Sequence, residues 1–199
     1  MALSTWYRAA TVVAVIVAVT VPAMPAGAVE TRALADLTEV EVAYESGELA
    51  APASAENAYS YDETLAPYGA ELQVIAVSGP SAHAIVVLTA SGLLPDREYG
   101  AHLHTKPCGA TGAAAGPHYQ HEPDPVQPST DPAYANAENE VWLDFTTDSQ
   151  GTGVAYAKQA WSFTEPLPGA LVVHAEHTHT GSGEAGTAGA RLACLTIAF

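Results

Sequence analysis

Short apolar-polar alternations cut by glycine, proline and aspartate run through this chain from Tyr59 to its last residue, and almost nothing in it repeats at the helical period. Tyr59 and Tyr61 open a first strand, and Glu71 to Ser78 and His83 to Ala90 flank a turn at Gly79-Pro80-Ser81. Leu93 to Asp96 turns the chain into a further strand. Val141 to Thr147 places Val141, Leu143 and Phe145 on one face, and Asp148 to Gly153 is a turn. Val154 to Phe163, Gly169 to Glu176 and Ala190 to Phe199 supply the rest. With 14 prolines and 16 glycines as punctuation, the pattern predicts an all-β domain: a Greek-key antiparallel β-sandwich or barrel of about eight strands with long loops.

One of these strands carries chemistry. In Tyr99 to His121, His102 and His104 alternate with Ala101, Leu103 and Thr105, so a strand's period of two puts both imidazoles on one face. A small-residue loop, Gly109 to Gly116, follows Cys108, and the rigid pair Gly116-Pro117 then delivers His118. Two strand histidines and one returning on a loop give three nitrogen ligands. That donor set suits copper or zinc and suits calcium or magnesium poorly. His174, at the end of Ala170-Leu171-Val172-Val173, is a fourth histidine carried out of the core by a strand. His83 has no partner pattern and reads as exposed, and His177 and His179 read as a solvent-facing loop.

The first 28 residues have the form of a signal peptide. Arg8 precedes an uncharged run from Ala9 to Val21, and Ala26-Gly27-Ala28 closes it with a small-x-small cleavage pattern. The run is too short, and followed too closely by Pro22 and Pro25, for a membrane span. A secreted or cell-envelope location follows, with no membrane span after cleavage. Residues 29–58 are acidic and Ala-rich, lack the apolar residues for a core of their own, and read as a tail or linker before a domain at 59–199.

Without the signal the chain has five basic side chains against 22 acidic ones, a formal charge of −17. Such a surface repels nucleic acid and anionic lipid. The two cysteines, Cys108 and Cys194, would in an oxidising compartment most simply form one bridge, the alternatives being free thiols or a cysteine-ligated metal. Both methionines, Met1 and Met24, lie in the signal, which argues against a blue-copper site or a Met-rich copper carrier. Between His121 and Glu138 lies a long loop with four prolines, of a length that is functional or unstructured in compact domains.

Four motifs in order, GAHLH at 100–104, AGPHY at 115–119, LVVHAE at 171–176 and GTAGARLAC at 186–194, resemble the copper,zinc superoxide dismutase family over roughly residues 66–199. Thr187 departs from the residues common at its position. The resemblance implies that His102, His104, His118 and His174 bind copper and that Cys108 and Cys194 form the structural disulfide. It also implies that Arg191 lies beside the copper and guides the anionic substrate, superoxide, and that His118 takes part in proton delivery.

The zinc half of the family pattern does not carry over. The position of a second zinc histidine is Val126, and the stretch before the next strand reads Ala137-Glu138-Asn139-Glu140-Val141, with no histidine between His121 and His174. Copper-only relatives of the family, including exported bacterial ones, show the same loss. The expected cofactor is therefore copper without zinc, a zinc on His118, His121 and carboxylates being the remaining alternative. His118 then needs another partner for its second ring nitrogen, from Glu138, Glu140 or Asp144, with Glu140 favoured. The expected activity is dismutation of superoxide to dioxygen and hydrogen peroxide. The rival is a non-catalytic copper-binding or scavenging module on the same fold, which has no need of Arg191. Oligomeric state is not legible.

Overall fold

The computed structural model of the protein describes residues 40–79 and 83–199. Among these residues nine strands form two antiparallel sheets. The first sheet has the order β1 (Glu41–Glu48), β3 (Glu71–Ser78), β4 (Ile85–Ser91), β7 (Gly153–Lys158). The second has the order β2 (Ala58–Ser60), β9 (Arg191–Thr196), β8 (Ala170–His174), β5 (Glu98–His104), β6 (Phe145–Thr146). The chain changes sheet after β1, β2, β4, β6 and β7, so β5 pairs on one side with its sequence neighbour β6 and on the other with the distant β8. This is the crossover pattern of a Greek-key sandwich.

Alternation builds the core. Leu72, Val74, Val86 and Leu88 of the first sheet face Tyr99, Leu103, Leu171, Val173 and Leu195 of the second, all of them buried. The opposite face of the second sheet holds the chemistry. Partners in register share a face, which places Gly100, His174 and Arg191 in one row, His102, Val172 and Cys194 in the next, and His104 and Ala170 in a third. A bulge between Val173 and His174 sets the first row: it leaves Leu192 buried in the main core and swings Arg191 opposite His174.

A small second core seats the loop that follows β5. Ala115, Ala170, Val172 and Cys194 pack together with Tyr59, Tyr61 and Cys108, beneath a 3-10 turn at Gly112–Ala115. The Cys108–Cys194 disulfide closes this cluster across 86 residues of sequence. It pins the loop carrying His118 to β9.

Several boundaries differ from the sequence reading. The linker expected to run through Ala58 ends earlier: Glu41–Glu48 is an edge strand on β3, with Ala43 buried in the sheet's core while Val42 and Tyr44, part of the alternation that marks the strand, face outward. The start of that linker and the signal segment at 1–28 lie outside the described residues. Val141 to Thr147 forms a ladder only at Phe145–Thr146, with an isolated bridge from Trp142 to His102. Strand β7 stops at Lys158, before the expected Phe163. Among the described residues no helix is long and apolar enough to cross a membrane.

Candidate metal centre

His102 and His104 lie on β5 with no exposed surface, His174 ends β8 almost fully buried, and His118 arrives from the loop at 15% side-chain exposure. An isolated bridge between His104 and His118 aligns loop and strand. One nitrogen from each of the four rings lies within 4.8 Å of the other three, a spacing that can hold a single ion. The Nε2 atoms of His104 and His174 are 3.4 Å apart, and the rings of His102 and His118 are 4.0 Å apart between centroids.

The other nitrogen of every ring is engaged, and the partners fix the tautomers. Carbonyl and carboxylate oxygens only accept, so the facing nitrogen must carry the hydrogen. His104 Nδ1 donates to the Gly116 carbonyl at 3.0 Å, His174 Nδ1 faces the Gly189 carbonyl at 3.4 Å, and His118 Nδ1 donates to Glu140 Oε2 at 2.7 Å. Gly116 presents its carbonyl from a φ of 74°, where a Cβ would also crowd the Thr105 hydroxyl. His102 is reached through a relay. Its Nε2 lies 2.7 Å from Thr178 Oγ1, which is 2.7 Å from Asp144 Oδ1. The hydroxyl hydrogen therefore goes to Asp144, and Thr178 accepts from His102.

That assignment leaves His102 Nδ1 bare. It is a buried nitrogen without a hydrogen-bond partner, a costly condition for an imidazole lone pair unless a cation meets it. The donor set thus fits a nitrogen-preferring metal: three Nε2 atoms and one Nδ1, each on a ring whose far side is anchored.

Electrostatics agree with metal-ready, neutral imidazoles. Burial, then the neighbouring histidines, pushes His102 and His104 well below the ordinary histidine pKa, and burial and His118 bring His174 down to about 3. The metal-free unfolded chain binds protons on these groups below about pH 6.5, while the folded one does not, so stability is lost as pH falls from there towards the folded values. The slope approaches about 1.4 kcal/mol per pH unit for each such histidine. Thermal unfolding of metal-free protein should show Tm dropping between about pH 7 and pH 5. A Tm independent of pH over that interval would contradict neutral burial.

A cleft of about 230 Å³ opens onto the cluster beside His118 and His174. Arg191 lines it, its Nη1 donating to the Gly112 carbonyl at 2.7 Å. Partial burial lowers the Arg191 pKa, yet a guanidinium remains cationic at neutral pH. The Pro-rich loop forms the opposite wall with Gln127, Pro128 and Ser129, tied down through Asp124, whose carboxylate accepts from Ser129 Oγ at 2.6 Å.

The remaining sequence candidates divide. Glu140 is buried and accepts from three donors, His118, Trp142 Nε1 at 2.7 Å and Gln120 Nε2 at 2.8 Å. Glu138 is exposed, and its hydrogen bonds, to Asn136 and from Trp161, are made by its backbone, so its candidacy as a partner of His118 is corrected. Asp144, also considered for His118, serves Thr178 instead. His121 stacks on Trp161 at 4.9 Å, His177 faces the Phe145 carbonyl, and half-buried His179 meets Glu176 and Glu184. None of these three joins the metal-capable group. His83 is exposed. Thr178 was missed: a threonine in a histidine-rich loop carries no signal until β5 brings His102 beneath it.

No family model and no curated protein matches this chain. Among solved structures, a double mutant of a SOD-like protein from Bacillus subtilis is similar at 15% identity with a TM-score of 0.47, over 62% of this chain and 86% of that one.

Proposed function

We propose that the four histidines hold one copper ion and that the protein dismutates superoxide in an exported compartment. The observation that carries this reading is the single bare, buried Nδ1 of His102 facing three other imidazoles beside a half-buried arginine in an open cleft. Bound copper supplies one-electron redox cycling, by which two superoxide anions and two protons become dioxygen and hydrogen peroxide. The chain's residues do the rest. Arg191 places a cation on the wall of the cleft in a strongly acidic chain, and so attracts and orients a small anion.

Glu140 keeps the hydrogen on His118 Nδ1 and leaves Nε2 for the metal. In doing so it takes the ring atom a bridging zinc would need, which favours copper without zinc. The relay from Thr178 and Asp144 does the same for His102 with the opposite nitrogen. The cleft opens to small anions and solvent protons on the His118 side. The disulfide and the signal-like first 28 residues support export.

Copper loading of metal-free protein followed by a superoxide-consumption assay tests the proposal. The loaded protein should consume superoxide catalytically, and Arg191→Ala should lower kcat/KM at low salt by roughly tenfold while copper content stays the same. Copper retention with superoxide decay at the uncatalysed rate would instead indicate a copper-binding module.

A further inference from the structure

The outer face of the first sheet is at odds with the rest of the molecule. Register places Tyr44, Ile75, Val87 and Tyr156 in one row across all four strands, with Val42, Val77, Ile85 and Lys158 beside it and Ser46, Gln73, Thr89 and Val154 on the other side. In a chain with 22 acidic residues these positions carry one charge, Lys158. Six of the apolar members are well exposed, from 36% at Ile85 to 63% at Val154. A one-sided antiparallel sheet ordinarily turns polar residues to water, so a continuous apolar row marks a contact surface.

We infer that this face is where two copies of the chain associate. Charge argues for a second copy. Two molecules this acidic repel over most approaches, and this face lets them meet without opposing carboxylates. Its ends also differ in sign. Lys158 stands at one end of the strands, and the row at the other end holds Glu48 and Glu71. A two-fold axis that inverts the strands end for end sets the lysine end of each copy against the acidic end of the other.

The size sets the strength. Four strands and three to four rows span roughly 15 Å by 20 Å, or about 500 Å² per copy with side-chain overhang. A stable dimer needs about 800 Å² per partner, so the association should be weak, with Kd in the micromolar range. The inference is independent of the metal reading, because the face lies on the sheet that carries none of the four histidines.

Sedimentation analysis of the purified protein from about 1 to about 100 μM tests it. The mass should climb towards twice that of the monomer. The double variant Tyr44→Glu, Tyr156→Glu, at two side chains about 60% exposed, should stay monomeric throughout with its thermal unfolding unchanged. Should that variant misfold, Val42→Lys at the sheet edge gives the same reading. Lys158→Glu should weaken association at least several-fold at low salt. A monomer at every concentration, or a dimer indifferent to these substitutions, overturns the inference.

Discussion

Replacing His104 with alanine is expected to weaken copper binding by more than about 100-fold and to bring superoxide consumption at limiting copper to the uncatalysed rate. Removing an outer hydrogen-bond partner of a metal ligand already costs about 10- to 100-fold in affinity, and this substitution removes the ligand itself. His104 is the residue through which strand, loop and neighbouring strand meet. Its Nε2 lies 3.4 Å from that of His174, its Nδ1 holds the Gly116 carbonyl, and its backbone bridges to His118. Competition titration with a copper chelator reads the affinity, and His83→Ala, at an exposed position outside the cluster, should leave it unchanged. Equal copper affinity in the His104 variant would remove that ring from the site.

The second large effect belongs to the crosslink. Replacing Cys108 and Cys194 with alanine releases a loop of 86 residues, for which chain entropy gives a loss of about 4 to 5 kcal/mol, a large part of the ~5–15 kcal/mol that holds a domain folded. The loss should also reach the metal. The bridge fastens the 3-10 turn and Gly116 over β8 and β9, and with them the entry of His118 and the carbonyl that accepts from Arg191. Denaturant unfolding of the variant should show a clearly lower midpoint, with looser copper binding at denaturant concentrations the intact protein survives. A loss below about 1 kcal/mol would mean that packing alone seats the loop.

What the sequence discloses follows from what each position depends on. His102 and His104 share a face because strand geometry is local, and the period of two is visible in five residues. The same rule identifies most strands, since their inward residues alternate. The bulge that turns Arg191 towards His174 depends on pairing between β8 and β9, which no local pattern records. Glu140 and Glu138 differ only by the turn at Asn136 to Glu140, which buries one carboxylate and exposes the other. Thr178 acquires a role only where loop and strand meet. Strand β1 is read as a tail because its apolar residues are too few for a core, until β3 supplies one. The absence of zinc histidines is legible directly, whereas the three-donor cradle around Glu140 that takes up the second nitrogen of His118 is not.

The most direct measurement is a copper titration of metal-free protein followed by electron paramagnetic resonance with quantified metal. One Cu(II) per chain, with hyperfine structure from four equivalent-class imidazole nitrogens and no requirement for zinc, is the predicted result. Binding of zinc in equal amount, a signal dominated by oxygen ligands, or no stoichiometric copper would contradict a four-histidine copper centre.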